Sequence, residues 1–229
     1  MKLPTTVAGV IEEMHTIGAA LQPTDGVQVF NAVYLQVTER IDRLLDEGQT
    51  FEDGPAAVDL DTRFAGLWLS AYDAADTGRA LPKAWAPLFS SRHRRGLLPI
   101  QFALAGMNTH IEHDLALAVV RTCEARGSAP DDPTVLADFF RINEVLAAVE
   151  ADIRRSFLDE IGQAVDDELG PVAHLVSSWS IEKARDVALL HARTIWELRR
   201  TTLLQGAYLT GLGHTVGMGS RLLLTPVGP

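Results

Sequence analysis

Hydrophobic residues recur along most of this chain at intervals of three and four positions, the spacing of one face of an α-helix. No segment shows the strict alternation of apolar and polar residues that indicates a half-buried strand. The chain is therefore predicted to be all-α, a single helical bundle that spans residues 1–229. A chain of this length can bury a substantial core.

Capping residues and helix breakers place the ends of the first two helices. A first helix is predicted over Thr5–Leu21, before a proline. Asp25 is a good N-cap for the second helix, which continues to Gly48. We predict a loop over Gln49–Ala57 before the next helical pattern begins.

The middle of the chain combines a third helix with a long connector. Asp59 or Asp61 is predicted to cap this helix, which carries aromatic residues on one face. A connector with three prolines follows over Thr77–Pro99, and a short helix is predicted around Trp85–Phe89.

The second half of the chain also has clear helix signals. Pro133 suits a first helical position and opens a helix predicted to run to about Glu168, before a Gly-Pro break. Ser180 caps a further helix. Residues 205–229 are rich in glycine and predict a C-terminal helix and tail that can approach neighbouring elements closely.

The most informative segment is the predicted central helix, Gln101–Arg121, which is apolar almost all round and so is expected to be buried. Its middle nevertheless carries a concentrated polar patch, formed by Asn108, Thr109, His110, Glu112, His113 and Asp114. His110 precedes both His113 and Asp114 by one turn, so these three side chains share a face. Burying such groups without partners costs roughly 1–3 kcal/mol each. We therefore expect the function to depend on this patch.

Three interpretations of the patch remain open. His110, His113 and Asp114 have the ligand types and spacing for a divalent metal such as zinc, iron or manganese, in hydrolase-like chemistry. Alternatively, His110 and Asp114, with Asn108, support metal-free acid–base catalysis of a cyclase or isomerase type, because a nearby carboxylate orients an imidazole. A third interpretation is a structural histidine. A complete metal site needs further ligands, and the candidates are His15, Asp25, Asp61, His174, His191 and His214.

A largely apolar pocket around His110 predicts a small, largely hydrophobic substrate. The side chains expected to line it are Asn31, Tyr34, Asp25, Trp68, Phe102 and Trp196. Asn31 or Asp25 is expected to lie nearest to His110 and Asp114, because buried polar groups need partners. The alternative from another class is a non-catalytic protein that binds a ligand or forms a homodimer through its glycine-rich helices.

The composition limits which binding partners and which cellular compartment are expected. The net charge of −10 argues against nucleic-acid binding, which needs a basic surface. The sequence contains no run of about 18 apolar residues, so no membrane span is predicted. The N-terminal stretch lacks the apolar core of a signal peptide. One cysteine, Cys123, excludes an intramolecular disulfide. We therefore expect a cytoplasmic protein.

Several stretches resemble an uncharacterised, chiefly actinobacterial family of helical proteins with a domain of unknown function. They are DGVQVFNAVYLQVTERI, LDTRFAGLWLSAY, PLFSSR and QFALAGMNTHIEHDLALAV. The resemblance spans most of the chain and brings no assigned reaction. It implies only that Asp25, Asn31, Asn108, His110 and Asp114 occupy characteristic positions.

The adjacent pair His113–Asp114 also resembles, in part, the dyad of the all-helical HD-type metal phosphohydrolases. That family uses an earlier metal-binding histidine and a later aspartate, roles for which His93 and Asp138 are available here. The sequence LALAVV replaces the small, glycine-rich residues that usually follow the dyad. The resemblance implies a metal-dependent hydrolase.

Overall fold

The structure is a computed structural model that describes residues 1–48, 51–162 and 179–226. Within these ranges every regular element is helical, so the predicted all-α fold is confirmed. The predicted helix end near Glu168, the break at Gly170 and Pro171, and the candidate ligand His174 lie outside the described residues.

Three helices form the N-terminal part of the bundle: α1 (Val7–Ala20), α2 (Gly26–Glu47) and α3 (Gly54–Asp76). The predicted ends of α2 are confirmed. Asp25 accepts a hydrogen bond from the first turn of the helix, and Gly48 closes its other end in the left-handed conformation, with φ of 68°. Helix α1 packs against both α2 and α3.

The third helix begins earlier than predicted, so the assignment of its cap to Asp59 or Asp61 is wrong. Asp53 is the N-cap and accepts a hydrogen bond from the Ala56 amide at 2.9 Å. Asp138, on a later helix, accepts two more from the backbone amides of residues 52 and 53, at 2.7 and 2.9 Å. These contacts satisfy amides that a helix start leaves unpaired.

The central helix follows the short helix α4 (Ala86–Ser91) and is longer than predicted. It consists of α5 (Pro99–Thr109), a π-helical turn (His110–Leu115) and α6 (Ala116–Arg126). The periodicity predicted a continuous α-helix and did not reveal the π-helical turn. Such turns are rare and are frequent at functional sites.

Three further helices complete the described fold: α7 (Pro133–Gly162), α8 (Ile181–Leu198) and α9 (Thr202–Leu223). Helix α5 packs between α2 and α9, and the π-helical turn lies against α3 and α8. Helix α6 also packs on α3 and α8. The central helix is therefore surrounded by other helices, as its apolar sequence predicts.

The glycine-rich α9 starts slightly earlier than predicted and packs closely along α5. At Gly217, a Cβ atom would lie only 2.7 Å from the backbone oxygen of Lys83, so the connector before α4 can pass there only because the side chain is absent. The Gln101 amide donates hydrogen bonds to the carbonyls of Leu223 and Thr225, at 2.8 and 2.7 Å. These contacts fix the end of α9 against the start of α5.

Replacing Gly106 with alanine should destabilise the fold, because α5 and α2 meet there without room for a methyl group. An added Cβ would lie 2.3 Å from the fully buried Phe30 ring. Overpacking of this kind costs about 1–3 kcal/mol, against a gain in helix propensity of up to about 1 kcal/mol. We expect a net loss in the free energy of unfolding, measured by urea denaturation.

The control is Gly211→Ala on α9, where no atom lies within 4 Å of an added Cβ. This variant should gain up to about 1 kcal/mol from helix propensity. Equal stability changes in the two variants would contradict the close packing of α5 against α2.

Candidate active site

The Asp114 carboxylate, which is 1% exposed, is the centre of the buried polar patch. Its Oδ2 accepts hydrogen bonds from the Trp85 indole at 2.9 Å and from His110 Nδ1 at 3.1 Å. Its Oδ1 pairs with His113 Nδ1 at 2.7 Å. One buried carboxylate thus has three nitrogen partners, which compensate for the loss of water.

The His110 imidazole is fixed by Asp114 on one side and by aromatic rings on the other. The Phe64 ring stacks on it with centroids 3.7 Å apart and planes at 7°, while Tyr34 meets it edge-on at 4.3 Å. Since Nδ1 faces a carboxylate, we assign the proton to Nδ1 and the lone pair to Nε2. Nε2 is buried and has no hydrogen-bond partner.

Burial and hydrogen bonding act in opposite directions on these two groups. Burial lowers the pKa of His110, and the hydrogen bond that His110 donates to Asp114 only partly offsets this effect. Burial tends to raise the pKa of Asp114, but the hydrogen bonds from His110 and His113 outweigh it and the pKa is lowered. At neutral pH the pair is therefore a neutral imidazole beside an ionised carboxylate.

His110 lines a small cavity of about 50 Å³, which we call the inner cavity. Tyr34 and Arg185 also line it, and the rest of its wall is mainly aliphatic and aromatic. The Tyr34 hydroxyl is buried without a hydrogen-bond partner. The Thr38 hydroxyl donates to the Tyr34 backbone carbonyl. The volume admits roughly three or four water molecules.

Asp61 is a second unusual carboxylate, on the part of α3 beside Tyr34. The residue is partly exposed, but its Oδ2 is buried and has no partner. Burial, together with the charge of Asp42, raises its pKa to about 7. Burial also raises the pKa of the Tyr34 hydroxyl, and the charge of Asp61 adds to this effect, so the phenol stays protonated.

A second, larger cavity of about 460 Å³ lies between α3, α6 and α7, and we call it the outer cavity. Leu60, Val119, Phe139 and Ile142 are among its apolar lining residues. The hydroxyl of Thr122, in the same wall, is buried without a hydrogen-bond partner. The volume falls within the range of small-molecule sites.

Asn31 and Asp25, expected to be the nearest polar neighbours of His110, have other partners. The Asn31 amide donates to the Met14 carbonyl at 2.9 Å and accepts from the Trp68 indole at 3.4 Å. Asp25 caps α2 and forms an ion pair with Arg92, with Nε 2.9 Å from Oδ2. The Trp85 indole, from the connector before α4, is the side chain that donates to Asp114 from another segment.

Several other predicted site residues belong to the packing of the bundle. Trp68 is fully buried against Phe30, Phe102 packs over Gly26, and Trp196 lies under the Arg199 guanidinium. Of the six side chains predicted to line a substrate pocket, Tyr34 alone is a lining residue of either described cavity.

Asn108, predicted to be catalytic, faces α9 rather than the inner cavity. Its amide donates hydrogen bonds to Ser220 Oγ at 3.2 Å and to the Val216 carbonyl at 3.4 Å. Thr109, its neighbour in the polar patch, is 2.8 Å from the same Ser220 hydroxyl. Two of the six residues of the predicted functional patch therefore join α5 to α9.

The predicted metal ligands His110, His113 and Asp114 do not converge on one common position. His110 and His113 both direct Nδ1 at Asp114, so the three groups bind one another. The Nε2 atoms face different surroundings, since that of His113 lies near Gly213 on α9. Across the described ranges no three His, Cys, Asp or Glu side chains are grouped to hold a metal, and His174 lies outside them.

The residues available for an HD-type site are also apart from the His113–Asp114 pair. His93 is 74% exposed and lies 3.8 Å from Asp25. Asp138 binds the backbone at the start of α3. Neither residue supplements the dyad in the way that the phosphohydrolase resemblance implies.

Three site residues were not predicted: Trp85, Phe64 and Arg185. Phe64 belongs to the aromatic face of α3, but its stacking partner could not be inferred from that face. Arg185 is 5% exposed and lies on the buried side of α8, between Ile181 and Ala188. A charged residue at a position where helical periodicity requires an apolar one was a usable signal.

The fold and the site define an all-helical protein that encloses an imidazole–carboxylate pair. Among the described residues, no helix is long and apolar enough to cross a membrane. The chain belongs to a family of unknown function, DUF5995, which it matches over residues 7–226. No curated protein and no solved structure matches it.

Replacing Asp61 with asparagine should stabilise the protein above pH 7. The folded protein keeps Asp61 protonated up to about pH 7, whereas an unfolded chain ionises it near pH 4. Between these values the folded state binds more protons, so Asp61 makes stability fall as pH rises. At pH 8 we expect Asp61→Asn to be more stable by about 1 kcal/mol or more, with an upper bound of roughly 4.

Urea denaturation of the wild type and of Asp61→Asn from pH 4 to pH 8 measures this difference. The titrations of all other groups are common to both proteins and cancel. The matched control is Asp59→Asn, which breaks an ion pair with Arg63 one turn away. It should lose about 0.5 kcal/mol or less. A stability difference for Asp61→Asn that does not change with pH would contradict the raised pKa.

Proposed function

We propose that this protein is an enzyme that acts on a small, largely hydrophobic molecule by metal-free acid–base catalysis, with His110 as the general base. The observation that carries the proposal is the buried, unpartnered Nε2 of His110 in a residue that lines a cavity. A buried polar atom without a partner is costly and rare in native proteins. A substrate proton would supply the missing partner.

The proposed reaction is a proton transfer of the isomerase or cyclase type. Neutral His110 takes a proton from the substrate at Nε2, and the resulting imidazolium is stabilised through Nδ1 by ionised Asp114. The same nitrogen then returns a proton to the product, so the protein ends unchanged. The Tyr34 hydroxyl can donate a hydrogen bond to a substrate oxygen, since its raised pKa keeps it protonated.

Replacing His110 with glutamine should abolish proton transfer while retaining a donor to Asp114. A suitable measurement is deuterium incorporation from heavy water into a panel of small apolar carbonyl compounds, followed by NMR. We expect the rate to fall by about 10²–10⁴-fold, the usual contribution of a general base. The ¹⁵N spectrum of the wild type should show His110 protonated at Nδ1.

His113→Gln is the matched control, because it also removes an imidazole that pairs with Asp114. It should keep most of the exchange rate, and both variants should remain folded in thermal melts. If His110→Gln melts far lower than His113→Gln and yet exchanges as fast per folded molecule, His110 is a structural residue and the proposal fails.

The alternative, a non-catalytic interaction protein, is favoured by one feature of α9. Leu204, Gly211 and Met218 are exposed and seven residues apart, and exposed Leu222 continues the same face. Arg221 is the one charged residue of this helix. An apolar heptad face with a glycine at its centre suits close packing against the α9 helix of a second copy.

Introducing charge on this face should dissociate such a homodimer. We expect sedimentation velocity to give twice the chain mass for the wild type and the single mass for Met218→Glu combined with Leu222→Glu. Leu190→Glu, at an exposed position of α8, is the control and should remain dimeric. A wild-type protein of single mass at tens of micromolar would refute the dimer.

A further inference from the structure

We propose that the outer cavity is a binding site for a small, uncharged, apolar molecule, separate from the site around His110. The two cavities share no lining residue. The outer cavity has a volume of about 460 Å³, within the range of small-molecule sites, whereas the inner cavity of about 50 Å³ is below that range. Binding in the outer cavity therefore does not depend on the chemistry of His110.

The most buried lining residues of the outer cavity are mainly apolar. Val119 and Cys123 on α6 and Phe139 on α7 are each 2% exposed. Leu60 on α3 and Ile142 on α7 extend this lining on the other walls. A molecule with an apolar body removes this surface and its own from water when it binds, which favours binding.

The charged residues of the outer cavity lie towards the protein surface. Among the described lining residues they are Asp53, Asp132, Asp138 and Arg126, and each is at least partly exposed. Three carboxylates and one guanidinium give this mouth a net negative charge. Such a charge disfavours an anionic ligand.

The charged groups of the mouth already have partners within the protein. The Nη2 atom of Arg126 lies 3.0 and 2.8 Å from the two oxygens of Asp53. Each oxygen of Asp138 accepts a hydrogen bond from a backbone amide, of residue 52 or 53, and Asp132 accepts another at 2.7 Å. A cationic ligand would compete with these donors for the carboxylates. The arrangement therefore favours an uncharged ligand.

The same contacts connect the three walls of the outer cavity. The pair of Arg126 and Asp53 joins the end of α6 to the start of α3. Asp138 on α7 binds the backbone at that same start. The walls are thus held in place without a ligand, which reduces the loss of conformational entropy on binding.

Isothermal titration calorimetry with three molecules that share a naphthalene ring tests the proposal. We expect 1-naphthalenemethanol, which is uncharged, to bind once per wild-type chain. The anion 1-naphthoate and the cation 1-naphthylmethylammonium should bind at least tenfold more weakly, because each would bring a charge into an apolar space. An ion that binds as tightly as the alcohol, or an alcohol that does not bind, would overturn the proposal.

Filling the outer cavity should remove the site. Ala57 is a lining residue on α3, and Ala57→Phe should weaken binding of 1-naphthalenemethanol tenfold or more. Ala147→Phe is the matched control, because it makes the same change at an exposed position of α7 that lines neither cavity. The control should bind as the wild type does, and equal affinities of the two variants would contradict the assignment.

Methyl NMR of the wild type locates the ligand even if Ala57→Phe does not fold. Bound 1-naphthalenemethanol should shift the methyl signals of Val119 and Ile142 through the ring current of the naphthalene. The methyl signals of Met107 and Ile111, which line the inner cavity, should not change. Shifts confined to the inner cavity would refute the proposed site.

The variant His110→Gln distinguishes this inference from the proposed function. Unchanged binding of 1-naphthalenemethanol by His110→Gln supports a separate site, whether or not proton exchange is lost in that variant. Binding that is lost in His110→Gln and retained in Ala57→Phe would place the ligand at the inner cavity and overturn the inference, while the proposed catalysis would stand.

Discussion

The site depends on the burial of one ionised carboxylate. Asp114 is cut off from water, so hydrogen bonds must replace its hydration, and the nitrogens that do so come from the connector before α4 and from the π-helical turn. Each bond has a structural consequence. The Trp85 indole fixes the connector against the central helix, and the His110 ring is held with its second nitrogen free. The hydrogen bonds to the carboxylate fix the orientation of the imidazole, as the proposed acid–base role requires.

The π-helical turn explains how two neighbouring histidines share Asp114 and still face different parts of the molecule. His110 stacks on Phe64 towards α3, whereas Nε2 of His113 lies near Gly213 on α9. With both Nδ1 atoms turned to Asp114, the two histidines do not present their remaining nitrogens and this carboxylate to one common position. The acid–base interpretation needs only the nitrogen that remains.

Periodicity predicted the helices well because burial of an apolar face determines most of them. It did not distinguish Asp53 from Asp59 or Asp61 as a cap, since all three are good N-caps and the contact with Asp138 lies far away in sequence. The burial of His110 and Asp114 followed from the apolar helix around them. Their partner could not be predicted, because Trp85 lies in a connector without a periodic pattern and its direction is set by tertiary contacts.

The contact between α5 and α9 affects the order in which the chain becomes structured. Asn108 and its partner Ser220 are 112 residues apart in sequence, and Gln101 is bound to the end of α9 across a similar distance. During synthesis the central helix emerges from the ribosome long before the helix that covers it. Its apolar surface remains available to chaperones over that interval, and such long-range closure slows folding.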